Sequence, residues 1–97
     1  MAQERSLENA FRKEVKALGC FYIKMPAMWL AGLPDRLFLL PNGTAFFIEW
    51  KRPGGKLRPI QVYMGNKLRK LGFKVYVINN TKAARKIFRD EYQASIE

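Results

Sequence analysis

Apolar residues fall along this chain in two rhythms. Leu7, Phe11, Val15 and Leu18 recur at spacings of four, four and three, the period of one helical face, so residues 7–18 are expected to form an amphipathic helix with Ser6 as its N-cap and Gly19 as its stop. Cys20 to Met25 then reads as a first strand. Pro26, Gly32 and Pro34 interrupt the pattern with an irregular segment that leads into Asp35. Two strand-like runs follow, Arg36-Leu37-Phe38-Leu39-Leu40 and Ala45-Phe46-Phe47-Ile48-Glu49-Trp50-Lys51. Between them lies Pro41-Asn42-Gly43, a turn signal because Asn and Gly tolerate positive φ. Residues 35–51 are therefore expected to form a β-hairpin. Pro59 suits the first turn of a second helix reaching Leu71, with Ile60, Tyr63, Met64, Leu68 and Leu71 as its apolar set and Gly72 as its stop. Lys74 to Ile78 fits a buried strand, and Thr81 is a candidate cap for a last helix. The predicted order is α-β-β-β-α-β-α, an α/β domain with a mixed sheet and helices on both faces.

Length and composition narrow this without changing it. Ninety-seven residues make one domain, 1–97, and 48% hydrophobic residues are enough for a modest core. No apolar stretch is long enough to cross a bilayer and no basic-then-apolar leader is visible, so the chain is expected to be soluble and cytoplasmic. A single cysteine, Cys20, reads as a small buried hydrophobe. With no histidine anywhere, the Cys/His sets that hold zinc are excluded, and any metal must be held by oxygen.

Charge changes the picture more. Eighteen Lys and Arg against eight Asp and Glu leave a net +10, which attracts polyanions and makes nucleic acid the first partner to consider. Between Val15 and Arg89 there are fifteen basic residues but only two acids, Asp35 and Glu49. Both are set into strand-like apolar sequence. If the turn centres near Asn42, residues whose numbers sum to 84 face each other, and 35 and 49 do. Two carboxylates held about 5 Å apart on one face repel unless a cation lies between them. Strand alternation puts Lys51 on the same face as Glu49, with Ile48 and Trp50 on the other. A one-residue slip would separate the pair, so the inference depends on the turn.

Gly32-Leu33-Pro34-Asp35, then Ile48-Glu49-Trp50-Lys51, then Gln61 opening a helix, together resemble the PD-(D/E)XK nucleases, and more narrowly the virus-type replication-repair nuclease domain, VRR-NUC, over nearly the whole chain. The resemblance implies a restriction-endonuclease-like core and a Mg²⁺- or Mn²⁺-dependent phosphodiesterase. Carried across, Asp35 and Glu49 match the metal-binding acids, the Trp50 carbonyl the backbone ligand, Lys51 the catalytic lysine, and Gln61 the glutamine after the sheet. The family's helix glutamate falls on Glu8, although periodicity puts Glu14 nearer the middle of the apolar stripe; Glu8 is taken as the ligand. Lys24 matches a basic strand position in similar sequences. With Arg36 and the glycine-rich turn residues Arg52 and Lys56 it completes a set of candidate DNA contacts. The aromatic Trp50 at the motif's variable position is a departure, without consequence if only its carbonyl is used.

The expected activity is hydrolysis of branched DNA, four-way junctions above all, by a homodimer without organic cofactor or membrane. Two alternatives stand beside it. One is a flap, nick or single-strand nuclease using the same site. The other is a non-catalytic nucleic-acid binder with Trp29, Tyr22 and Tyr63 stacking on bases.

Overall fold

A computed structural model describes residues 2–26 and 30–97. Helix α1 (Ala2–Ala17) leads into strand β1 (Phe21–Lys24), then β2 (Arg36–Leu39), β3 (Ala45–Trp50), helix α2 (Pro59–Lys70), β4 (Lys74–Ile78) and helix α3 (Thr81–Ile96). The α-β-β-β-α-β-α order is as read from the sequence. The four strands lie in the order β1-β2-β3-β4, with the first two pairings antiparallel and β3–β4 parallel. A parallel neighbour needs a crossover, and α2 supplies it. None of the described helices is long and apolar enough to cross a membrane.

Alternation along the strands divides the sheet into two faces. Phe38, Phe46 and Ile48 point to one face, where they form a buried cluster with Phe11 and Val15 of α1 and Ala84 and Phe88 of α3. Phe38 stacks on Phe46 with ring centroids 4.8 Å apart, and Phe11 joins both Phe38 and Phe88. Cys20 is buried at the edge of this cluster, as expected, and burial pushes its thiol pKa up. The other face carries Phe47, Glu49 and Val75, with α2 across β4. Gly65, the buried residue of α2, packs there, and a Cβ on it would stand 3.8 Å from Val75 Cγ1.

Several local expectations are corrected. Helix α1 begins well before Ser6, which lies inside it rather than capping it. The cap of α3 is Asn80, whose side chain accepts from the Ala83 N–H at 2.8 Å, while Thr81 is a buried first-turn residue. The apolar set of α2 is only partly used. Met64 and Leu68 are half-buried, but Ile60, Tyr63 and Leu71 are exposed, because contact with the sheet is made through Gly65.

Candidate active site

The site begins with the turn. Asn42 adopts φ 61°, ψ 32° and Gly43 φ 72° inside a short 3-10 turn, Pro41–Gly43. This left-handed pair reverses the chain so that Arg36 pairs with Ile48 and Leu37 with Phe47. Those pairs sum to 84. Continued one step beyond β2, the same register sets Asp35 against Glu49, and the Trp50 N–H indeed donates to both Asp35 oxygens, at 3.3 and 3.4 Å. The carbonyl of a strand residue points to the same side as its N–H, so the Trp50 carbonyl is aimed toward Asp35. Lys51 prolongs the ladder on the other side of β3, its N–H donating to the Ile78 carbonyl at 2.7 Å.

Glu49 is 3% exposed, in the body of β3. Its Oε1 accepts a long bond of 3.4 Å from Gln61 Nε2, and its Oε2 is buried with no hydrogen-bond partner. A buried carboxylate oxygen without a donor is costly. Burial, and then the nearby Asp35 charge, push the Glu49 pKa up to about 7, against the opposing influence of Arg58 and Arg36. Asp35 is shifted upward as well, chiefly by burial, with Arg36 and the Trp50 N–H pulling the other way. Gln61 is fixed at the start of α2, where its Oε1 accepts from the Arg58 N–H at 2.7 Å. It thereby joins the helix to the acid.

Two further residues frame this arrangement. Gly32, at φ +84°, lies against α2 so tightly that a Cβ there would stand 2.5 Å from the Ile60 carbonyl oxygen, which seats the segment leading into Asp35 on the helix that carries Gln61. Arg36 extends from β2 between α1 and the hairpin. Its Nε donates to the Tyr22 hydroxyl at 3.0 Å, its Nη1 lies 3.4 Å from Asp35 Oδ1, its Nη2 lies 3.8 Å from Glu8 Oε1, and its guanidinium carbon stands 5.6 Å from the centre of the Trp50 ring.

The other helix acid lies elsewhere. Glu14 is bound by both Arg85 and Arg89 of α3, each at 2.7 Å. Those arginines, with the Arg89 hydrogen bond strongest, hold its pKa below the usual value. Glu14 therefore ties α1 to α3. Its place in the apolar stripe reflects helix packing. Glu8, the other candidate, faces the Asp35 end of the hairpin but has Arg36 between, and Arg12 lies 3.6 Å from it. Among the described residues no three acidic or cysteine side chains converge into a ready metal cluster.

No family model matches the chain. The fold is similar to a solved structure described as a VRR_NUC domain, with a TM-score of 0.69 and 29% identity over 89% of this chain and 94% of that one. In sequence the chain is 36% identical over 80 residues to the "Putative nuclease p44" of Acyrthosiphon pisum secondary endosymbiont phage 1, spanning 82% of this chain and 86% of that protein. The chain belongs to the VRR-NUC family.

Within this VRR-NUC domain the residues singled out from sequence fall into three groups. Asp35, Glu49, Trp50 and Gln61 are brought together by contact. Lys51 follows β3 and lines a groove of about 280 Å³ with Val77, Ile78, Asn79, Asn80 and Ala83, apart from those four. Lys24, Arg52 and Lys56 are exposed, whereas Arg36 is turned inward with only 12% of its side chain accessible. Of the three aromatics considered for base stacking, Tyr63 is exposed and Tyr22 packs edge-on against Phe11 and Phe38 in the core; Trp29 lies outside the described residues. Sequence reading missed Arg58 and did not see what Gly32 does. An Arg-Pro step before a helix carries no chemical signature, but a glycine three residues before a strand-edge acid could have suggested a close backbone approach.

Proposed function

We propose that this domain hydrolyses DNA phosphodiester bonds with a divalent cation, Mg²⁺ or Mn²⁺, held by Asp35, Glu49 and the Trp50 carbonyl. The observation that carries this reading is the Glu49 carboxylate, buried with one oxygen unpartnered and facing a second acid. The fold could have met that oxygen with an N–H, as it does Glu14. A cation there satisfies the orphaned oxygen and cancels the repulsion between the two acids. The donor set is all oxygen, which suits hard ions. Such an ion supplies Lewis-acid activation of the scissile phosphate and of the attacking water. Glu8 reaches the same end of the sheet from α1 as a further carboxylate.

The chain's own residues supply the rest. Gln61 holds Glu49 in one orientation from the start of α2, so the acid does not rotate away when substrate approaches. Lys51 offsets negative charge developing on the phosphoryl oxygens. Lys24, Arg52 and Lys56 bind the backbone phosphates on either side, and the +10 net charge draws the polymer in.

Branched DNA, with four-way junctions first, is the substrate this reading favours, cut by a homodimer that presents two sites related by a two-fold axis. The exposed apolar side chains of α2, Ile60, Val62 and Tyr63 at 38, 45 and 59% accessible, support self-association of a chain whose charge alone would keep copies apart. Cleavage of linear, nicked, flap and four-way DNA, with EDTA, Mg²⁺ or Mn²⁺, tests the proposal. Products that require the divalent ion, most abundant with the four-way substrate, are expected. Salt-dependent binding without any product would replace the nuclease reading with that of a binding module, and a preference for flaps or nicks would move the substrate.

A further inference from the structure

Arg36 is conspicuous for where its charge is spent. In a protein that reads as a DNA binder, this guanidinium does not face outward; it is enclosed by Tyr22, Trp50, Asp35 and Glu8. Its contacts are unequal. The bond to the Tyr22 hydroxyl, at 3.0 Å, has good hydrogen-bond length, and Tyr22 is itself fixed in the core by Phe11 and Phe38. The approaches to Asp35 and Glu8, at 3.4 and 3.8 Å, are longer than a tight ion pair, and the guanidinium carbon lies over the Trp50 ring, 5.6 Å from its centre. Arg36 is thus anchored on one side by core aromatics and loosely attends two carboxylates on the other.

We infer that Arg36 is a positioning residue for the cation site, rather than a DNA contact: held by Tyr22 beside Trp50, it orients Asp35 on the hairpin through Nη1 and Glu8 on α1 through Nη2. The inference rests on the proposed cation site and adds to it the group that organises the site from behind. The geometry accounts for the loose carboxylate distances. A cation bound tightly to both acids would keep their oxygens from any other ion, whereas one held back by a phenol and an indole orients them and leaves lone pairs free. It also gives Tyr22 a role that its core packing does not require, since phenylalanine would fill the same space. Arginine suits the task because its planar fork can meet several partners at fixed angles, which a lysine ammonium cannot.

The test uses the full chain without DNA, titrated with Mn²⁺ in a calorimeter, with melting in EDTA recorded alongside. Arg36→Met is expected to weaken Mn²⁺ binding roughly ten-fold, as loss of groups that orient metal ligands commonly does. Arg36→Lys should recover little of it. Tyr22→Phe, which leaves the core filled, should weaken binding by roughly three-fold through loss of one charge-assisted hydrogen bond, with a small drop in melting temperature. In the Arg36→Met background the Tyr22→Phe change should have no further effect, because its influence passes through the guanidinium. Variants that bind Mn²⁺ as tightly as wild type, or a Tyr22→Phe effect that persists without Arg36, overturn the inference and leave the cation site standing. A wild-type protein that binds no Mn²⁺ overturns the cation site and this role together.

Discussion

Two partly or wholly buried carboxylates in this basic protein are treated in opposite ways. Glu14 is met by two arginines at 2.7 Å and its pKa is lowered. Glu49 has a distant glutamine amide, a bare oxygen and another acid for company, and its pKa is raised to about 7. With eighteen basic residues in the chain, this starvation is not for want of cations. Arg58 and Arg36 are near enough to influence Glu49 without bonding to it, and Arg36 bonds to Tyr22 instead. The contrast teaches that pairing marks the acid that builds the fold, while a denied partner marks the acid kept available for something that arrives later.

The comparison breaks most visibly in activity. Asp35→Asn should lower DNA cleavage on the order of 10³-fold or more while leaving DNA affinity near wild type, as measured by filter binding beside a cleavage time course. Glu14→Gln, assayed per folded molecule, should cut normally. A Glu14 variant as dead as the Asp35 variant would erase the distinction. Next in size is Gly32→Ala, whose added carbon collides with the Ile60 carbonyl and forces the Asp35 segment off α2. A displacement of this kind is expected to reduce cleavage on the order of 10²-fold in a protein that still folds, judged by circular dichroism.

The two acids should also give opposite pH slopes of stability in EDTA. Glu49 has a raised folded pKa, so its contribution is fully present below its ordinary value of 4.5 and is lost as pH rises through about 7. Asp35, also raised, adds in the same direction. The loss from Glu49 should be about 3 kcal/mol between pH 4.5 and 7.5, read from urea melts, and Glu49→Gln should abolish it. Glu14 is depressed, so its contribution is present above its ordinary value and disappears as pH falls. The smallest expected effect is the stability cost of Glu14→Gln at pH 7, about 1 kcal/mol, because the Arg85 and Arg89 side chains remain partly in water.

How much of this was legible in the chain depends on the range of the interaction. The hairpin register followed from Asn42-Gly43, because the turn's φ values and the period of two are local, and both survive folding unchanged. Lys74–Ile78 was bounded correctly because its run has sharp ends, but it was expected to be buried and is instead an edge strand with Lys74 and Val77 exposed, since which strands lie at the edge is decided by the whole sheet. Glu14 misled for a related reason. Helical periodicity reports which face is buried, and that face packs on α3, whose arginines are some seventy residues away in sequence. Ser6 and Thr81 were plausible caps by type, but whether a hydroxyl caps depends on where the backbone leaves the helical region, which neighbouring residues share in deciding. The inward turn of Arg36 had no local signal at all. Its anchor is the Tyr22 hydroxyl on another strand.

The parallel pairing of β3 with β4 sets an order in time. As the chain forms, the β2–β3 hairpin is local and quick, but β3 then presents an unpaired edge of Ala45-Phe46-Phe47-Ile48 until α2 and β4 have followed and crossed over. During that interval the most apolar strand of the molecule is open to pairing with other chains. Glu49 lies in that same strand, so its charge, a burden once buried, interrupts the exposed run while the sheet is still incomplete. A charge set among apolar strand residues is the kind of residue that blunts edge-to-edge pairing, so the acid that the folded state leaves unpartnered also breaks the longest apolar strand.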